Sequence, residues 1–214
     1  MMSGYYKNPE ATAKVLNKET GWFSTGDIGR INPNGTLSII DRRKNLFKIS
    51  LGEYIASEKV ENTYMKSSCV GQIWIYGNSF KSFIVAVIVP DAQVIVEKLK
   101  DEKLWSEQDD KITVATLKYA ARFKEVCEEN RELVKKWVVA DIKNFEDSLK
   151  KFERIKDIYL EFEIDELLQG FNVANGLLTP TFKTKRPQLK KRYMDNIKAL
   201  YTANGEAPNE NENW

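Results

Sequence analysis

Two residues that could contact a nucleotide, Asp27 and Arg42, lie on either side of a short polar turn. A carboxylate can accept hydrogen bonds from both hydroxyls of a ribose, and a guanidinium offers several donors to sugar or phosphate oxygens. The same side chains can also pair with each other as a surface salt bridge, which adds roughly 0 to 1 kcal/mol to stability. Composition alone favours the salt bridge.

A predicted β-hairpin brings the two residues together. The turn Asn32-Pro33-Asn34-Gly35 has proline at its second position and glycine at its fourth, as a type I turn prefers. Folding the arms Asp27–Ile31 and Thr36–Asp41 about this turn places Asp27 roughly opposite Ile40. Asp27 and Arg42 would then share the open end of the hairpin.

A second group with chemical potential is a basic run late in the sequence. Six basic residues fall within ten positions: Lys183, Lys185, Arg186, Lys190, Lys191 and Arg192. Such a run fits a solvated face, a nucleic-acid patch or a loop that binds an anionic substrate. No aromatic stacking motif accompanies it, and a proline interrupts it, which favours a loop leading into a helix.

The elements that must position these residues form an α+β pattern. The uninterrupted apolar run Phe83–Val89 predicts a central strand, and Gly77-Asn78-Ser79 predicts a turn between it and an antiparallel neighbour. The complete prediction is a helix starting at Asn8-Pro9-Glu10, the hairpin, a strand at Leu46–Ile49, a helix at Ser57–Lys66, strands at Cys69–Tyr76 and Phe83–Val89, a helix capped by Asp91, a helical stretch over Val114–Phe152 with a break near Glu128-Glu129-Asn130, a strand at Ile155–Phe162 and a helix at Pro187–Tyr201. We therefore expect an N-terminal hairpin segment followed by a small domain in which a mixed or antiparallel sheet packs against helices.

Composition narrows the chemistry that is available. With 214 residues, 42% hydrophobic and 30% charged, the chain can build a globular core, and its net charge of +2 gives little reason for general affinity for nucleic acid or membranes. The absence of histidine excludes histidine triads and histidine metal ligands. Two distant cysteines and no apolar run near the ~20 residues that span a bilayer favour a reducing, cytoplasmic or cytosol-facing location.

An ordered series of motifs resembles a known family. The stretches GYYKNP, GWFSTGDIG, IIDRRKNLFKISLGEYIASEKVEN, IVPD and GLLTPTFKTKRP occur in this order and cover nearly the whole chain up to Ala203. Together they resemble the long-chain fatty acyl-CoA synthetases, a branch of the adenylate-forming (AMP-binding) ligases. Members of this family activate a carboxylic acid with ATP and then transfer the acyl group to coenzyme A. The phosphate-binding loop, adenine pocket and fatty acid tunnel of the family lie upstream of the TGD turn, so the resemblance implies that this chain is a C-terminal fragment.

The resemblance implies roles for the residues singled out above. Asp27 and Arg42 would hold the ribose of AMP, and Lys183 would be the lysine that serves adenylation. Thr179 and Arg186 give Lys183 the family spacing T-x-x-x-K-x-x-R, whereas Lys185 is the runner-up. Many members of the superfamily have glycine directly before this lysine, and Phe182 stands there in this chain.

The segment after the hairpin would carry the second half of the reaction. By resemblance, Lys44 is the hinge of a domain rotation, and Lys48, Ser50 and Gly52 line the coenzyme A channel once the domain has rotated. Gly52 has an alternative explanation, since a loop glycine before a helix can be required by a positive φ alone. The implied division is a distal piece of the large domain at 1–41, a hinge at 42–44, a mobile lid domain at 45–203 and a disordered tail at 204–214.

The sequence as a whole thus predicts the lid domain of a long-chain fatty acid:CoA ligase, inactive without its large N-terminal domain. ATP or AMP, Mg²⁺ and coenzyme A would serve the full-length enzyme, with the metal contacts outside this chain and no metal site within it. Its partners would be the missing domain, long-chain fatty acid and coenzyme A, and the parent could associate peripherally with membranes. Two alternatives stay open: a stand-alone interaction module of the same fold, and a basic nucleic-acid-binding domain.

Overall fold

The computed structural model describes residues 2–114, 116–206 and 208, and its fold is α+β as predicted. The chain divides into two compact units, Met1–Leu46 (the N-terminal unit) and Phe47–Trp214 (the C-terminal unit). The helices and strands in chain order are α1 (Pro9–Val15), β1 (Asp27–Ile31), β2 (Leu37–Arg42), β3 (Leu46–Lys48), β4 (Tyr54–Ala56), α2 (Ser57–Tyr64), β5 (Val70–Tyr76), β6 (Ile84–Pro90), α3 (Ala92–Asp101), α4 (Leu117–Glu129), α5 (Arg131–Lys143), β7 (Ile155–Leu160) and α6 (Arg186–Ala203).

The N-terminal unit contains one short helix and the predicted hairpin. Asn8 caps α1 by accepting a hydrogen bond from the amide of Ala11 at 2.9 Å. The turn between β1 and β2 is closed by the Gly35 amide, which donates to the carbonyl of Asn32 at 2.9 Å. Gly35 has φ +79°, a conformation that glycine adopts without steric cost.

The register of the hairpin differs from the prediction. Asp27 lies opposite Arg42 and not opposite Ile40, a shift of two positions. One position arises at the turn, where Ile31 already pairs with Leu37, and the other arises where the pairing passes from Gly29↔Ile39 directly to Ile28↔Asp41. Ile40 is the extra residue of a β-bulge at this point. The bulge places Asp27 and Arg42 directly across from each other at the open end of the hairpin.

The core of the C-terminal unit is a three-stranded mixed sheet in the order β5-β6-β7. β6 is antiparallel to β5 and parallel to β7, so the apolar strand predicted to be central is indeed central. From Ile84 to Val89 each of its side chains is 0% exposed. Two further short strands, β3 and β4, form a separate two-stranded sheet.

Helices cover this sheet, with α2 against β5, α5 against β7, and α6 against β6 and β7. The predicted break in the long helical stretch falls at Asn130, whose side-chain amide donates to the Val126 carbonyl at 2.9 Å at the end of α4. The predicted helicity of 145–152 is wrong, because α5 ends at Lys143 and only short 3₁₀ turns follow. In this segment the Glu153 carboxylate accepts from the Lys150 amide at 2.9 Å, a local bond that replaces helical pairing.

The beginning of the predicted tail 204–214 makes specific contacts. The Asn204 side-chain amide donates to the carboxylate of Asp157 at 2.8 Å, and the Glu206 carboxylate accepts hydrogen bonds from the Ser82 amide at 3.2 Å and from the Ser82 hydroxyl. Residues 207 and 209–214 lie outside the described residues.

Candidate functional sites

Asp27 and Arg42 form an ion pair in the N-terminal unit. Arg42 Nε lies 2.8 Å from Asp27 Oδ1, and the two side chains are 49% and 27% exposed. Thr25 supports the pair from the preceding turn, since its hydroxyl accepts from the Asp27 amide at 3.1 Å. Arg42 Nη1 also donates to the Thr25 carbonyl at 3.5 Å. Because an ionised carboxylate offers about four lone-pair positions and a guanidinium five N–H donors, these contacts leave both groups able to bind a ligand.

Asp41, which the sequence reasoning did not single out, fixes the backbone at the end of β2. It is only 3% exposed, and its Oδ1 accepts from the Arg42 amide at 2.6 Å and from the Asn45 side-chain amide at 3.2 Å. These bonds hold the start of the 3₁₀ turn Arg43–Asn45, in which Lys44 is exposed. An acid four residues before an asparagine, at the end of a strand, is the local signal that could have indicated this turn.

Gly52 lies in a tight loop of the C-terminal unit between β3 and β4. The Gly52 amide donates to the Ile49 carbonyl at 3.0 Å, and the Ile49 amide donates to the Glu53 carbonyl at 3.0 Å. Gly52 has φ +85°, and a Cβ placed on it would meet no atom within 4 Å. The positive φ therefore favours glycine at this position, although there is room for a Cβ atom.

Lys48 and Ser50 belong to the same loop region. The Lys48 side chain is exposed, and its Nζ lies 5.8 Å from the centre of the Tyr54 ring, within cation–π range. The Ser50 amide donates to the Lys81 carbonyl at 2.9 Å, which ties the loop to the segment before β6. The loop thus presents an exposed ammonium on a fixed backbone.

Lys183 lies in a second tight loop of the C-terminal unit, organised by Thr179. The Thr179 amide donates to the Lys183 carbonyl at 2.8 Å, and the Thr179 hydroxyl accepts from the Lys183 amide at 3.1 Å. The base of the loop is closed by the Lys185 amide, which donates to the Leu177 carbonyl at 2.8 Å. Lys183 is exposed, and within the described part of the chain its ammonium has no ion-pair partner, whereas Lys185 is half-buried at the start of α6.

Phe182, directly before Lys183, has an unusual backbone conformation. Its φ is +58°, in the region that costs a residue with a Cβ roughly 1–2 kcal/mol. The residue is 69% exposed, so its side chain recovers little of this cost by burial. The loop therefore holds Phe182 in a backbone conformation that glycine would adopt without strain.

We expect Phe182→Gly to raise the free energy of unfolding by up to about 1 kcal/mol, because glycine adopts positive φ without a steric penalty. Urea denaturation of this chain measures the difference. Phe182→Ala is the matched control, since it removes the exposed ring but keeps the Cβ, and it should leave stability within ~0.5 kcal/mol. Equal stabilisation by both substitutions would assign the effect to the exposed ring.

The basic run is partly neutralised by acidic residues. Arg186 makes a two-pronged ion pair with Glu61 at 2.5 and 2.9 Å, and Arg192 lies 3.5 Å from Glu163 and 3.9 Å from Glu161. A nucleic-acid patch needs its cations free to displace phosphate counterions. These pairings weigh against a continuous nucleic-acid surface.

Metal binding and membrane spanning find no support in the described residues. Over residues 2–114, 116–206 and 208, no group of three or more Cys, Asp or Glu side chains is arranged to hold a metal ion. None of the helices in that part of the chain combines the length and the apolar character needed to cross a membrane.

Solved structures of adenylation domains contain a segment with the fold of this chain. The chain superposes on the A domain of carboxylic acid reductase from Segniliparus rugosus, in complex with AMP and a co-purified carboxylic acid, with a TM-score of 0.70 and 29% identity over 95% of this chain and 27% of that one. The adenylation domain of a carboxylate reductase from Mycobacterium chelonae gives a TM-score of 0.71 and 30% identity over 94% of this chain and 26% of that one. The chain therefore shares the fold of one segment of these adenylate-forming enzymes.

Curated long-chain fatty acyl-CoA synthetases resemble this chain in sequence, although no protein-family model matches it. Fatty acyl-CoA synthetase A of Dictyostelium discoideum is 44% identical over 94% of this chain, and long-chain-fatty-acid–CoA ligase 5 of Rattus norvegicus is 41% identical over 94%. In sequence, the chain is homologous to one segment of the long-chain fatty acyl-CoA synthetases. It spans only 26–27% of the length of these two relatives.

Proposed function

We propose that this chain is the C-terminal segment of a long-chain fatty acid:CoA ligase, an acid–thiol ligase that forms an acyl-adenylate from ATP and then an acyl-CoA thioester. The observation that carries the proposal is the 40–44% identity to such synthetases over 94% of the chain. Because the chain corresponds to about a quarter of their length, the remainder would supply the fatty acid tunnel and most of the nucleotide pocket.

Adenylation would use Asp27, Arg42 and Lys183. Asp27 and Arg42 would bind the ribose of ATP and AMP through the acceptor and donor capacity that their mutual ion pair leaves available. Lys183 would place its ammonium between the substrate carboxylate and the α-phosphate, where it offsets the negative charge that develops as pyrophosphate leaves. An exposed lysine on a loop held by Thr179 suits that role.

Thioester formation would use the other loop of the C-terminal unit. We propose that Lys44 is the hinge about which this unit turns, with 1–41 belonging to the large domain and 45–203 forming the mobile lid. The exposed position of Lys44 in a 3₁₀ turn lets its backbone torsions change without disturbing a packed core. After the turn, Lys48 and the open backbone at Gly52 would face the pantetheine arm and phosphates of coenzyme A.

The partners of the segment would be the upstream domain, a long-chain fatty acid, ATP and coenzyme A, in a cytoplasmic or cytosol-facing location. Mg²⁺ would enter with ATP and find its ligands on the phosphates and outside this chain. Peripheral attachment of the parent enzyme to a membrane is compatible with this assignment.

Calorimetry and activity assays on two proteins test the proposal. The chain alone should bind ATP, AMP and coenzyme A weakly and lack ligase activity, because much of each binding site would lie outside it. The full-length protein that contains this segment should release pyrophosphate only when a long-chain fatty acid is present, and should then form acyl-CoA. Tight adenylate binding by the chain alone, or a full-length protein without fatty acid-dependent release, would contradict the assignment.

A further inference from the structure

An ion pair joins the start of α6, just after the Lys183 loop, to α2 of the C-terminal unit. Arg186, the first residue of α6, donates from Nη1 to Glu61 Oε1 at 2.9 Å and from Nη2 to Glu61 Oε2 at 2.5 Å. The two side chains are only 20% and 10% exposed. Such two-pronged geometry between planar groups fixes orientation as well as distance.

Glu61 is itself held by the sheet. It lies in α2, and its Oε1 also accepts the backbone N–H of Ile75 in β5 at 3.0 Å. One carboxylate therefore joins α2, β5 and the start of α6. When one member of a largely buried ion pair is removed, the charge of the other is left buried without a partner. A single substitution at Glu61 or Arg186 should therefore disturb the contact between α2 and α6.

The Glu61–Arg186 ion pair lies close along the chain to Lys183, the proposed adenylation lysine. Lys183 precedes Arg186 by three residues, a span of at most about 10 Å in an extended chain. The neighbouring bond from the Lys185 amide to the Leu177 carbonyl closes the loop between them. A shift of Arg186 would therefore be transmitted to the Lys183 ammonium.

We propose that Glu61 is a positioning residue for adenylation, which acts through Arg186 to fix the loop that carries Lys183. The inference rests on the proposed function of Lys183. Positioning matters because a displacement of about 1 Å at a reacting centre can cost on the order of 100-fold in rate. In this proposal Glu61 does not contact the reacting atoms; it determines the position of the Lys183 ammonium.

Glu61→Gln and Arg186→Lys test the link without removing bulk. In Glu61→Gln, the amide oxygen can still accept from the Ile75 amide, but the negative charge is lost. In Arg186→Lys, the positive charge is kept, but the planar guanidinium that binds both carboxylate oxygens is lost. Glu153→Gln is the matched control, because Glu153 also pairs with α2, accepting from Lys59 Nζ at 2.7 and 2.9 Å, and its side chain is 6% exposed.

The first measurement is hydrogen exchange of backbone amides in this chain. Both test variants should accelerate exchange at Phe182, Lys183 and Lys185 by at least ~10-fold relative to the amides of β6, and Glu153→Gln should not, because only the test variants release the loop. Unchanged loop exchange, or an equal change in the control, overturns the proposal.

The second measurement separates the two half-reactions of the full-length protein. Glu61→Gln and Arg186→Lys should lower kcat for adenylate formation by ~10- to 100-fold, with KM for ATP within ~3-fold and acyl transfer from supplied acyl-adenylate unchanged. If Lys183→Ala slows adenylation and these variants do not, the positioning role fails. If Lys183→Ala itself has no effect, the proposed function of Lys183 fails instead.

Discussion

Replacing Lys183 by alanine in the full-length protein is expected to slow adenylate formation by about 100- to 1,000-fold, the usual loss when one preorganised donor to a developing charge is removed. Acyl transfer to coenzyme A from supplied acyl-adenylate should remain within ~2-fold, because an interaction made only in the first transition state contributes nothing to the second step. The structural reason is that the ammonium is exposed and carried by a loop fixed through Thr179. Pyrophosphate release and thioester formation are measured separately.

Lys185→Ala is the matched control for this experiment. Lys185 lies two residues further on and is half-buried, with its amide closing the base of the loop. Its loss should change the adenylation rate by less than ~3-fold, since its side chain would not reach the substrate. A larger effect at Lys185 than at Lys183 would transfer the role to the runner-up, and equal losses in both half-reactions would refute the division of labour.

Phe123→Ala should lower the free energy of unfolding of this chain by about 3–5 kcal/mol, the range for removing a buried aromatic ring. Phe123 in α4 is 0% exposed, and its ring meets that of Phe162 edge-on with centroids 6.2 Å apart. Urea denaturation followed by circular dichroism measures the change. In the same helix, Leu117 is 68% exposed, and Leu117→Ala should cost less than ~0.5 kcal/mol. A loss below ~1 kcal/mol for Phe123→Ala would mean that α4 does not depend on this contact.

The parts of the fold that could be predicted from sequence are those set by local chemistry. The turn at Asn32–Gly35 follows from proline and glycine at their preferred positions, and the central place of β6 follows from its uninterrupted apolar run. The end of α4 at Asn130 likewise has a local signal, because asparagine competes with the helix for its own backbone hydrogen bonds. Each of these features needs only a few neighbouring residues.

Features that depend on distant partners or on exact register could not be predicted. The bulge at Ile40 shifts the hairpin by one residue, and no residue type in the strand requires it. The pairing of Glu61 with Arg186 joins positions far apart in sequence and arises only once α2 and α6 flank the sheet. The spacing T-x-x-x-K-x-x-R singled out Arg186 in the sequence. The structure adds its partner, Glu61, and therefore a physical reason for an arginine at this position.

The parallel pairing of β6 with β7 has a consequence for how this chain is made. Ile84 pairs with Ile155, so all of α3, α4 and α5 are synthesised before the second edge of β6 can be covered. Until then a strand of almost pure aliphatic composition offers open backbone groups, a template for pairing with another nascent molecule. A chain that ended before residue 155 would lack β7, so this edge of β6 would stay uncovered. We expect such a truncated chain to aggregate during synthesis.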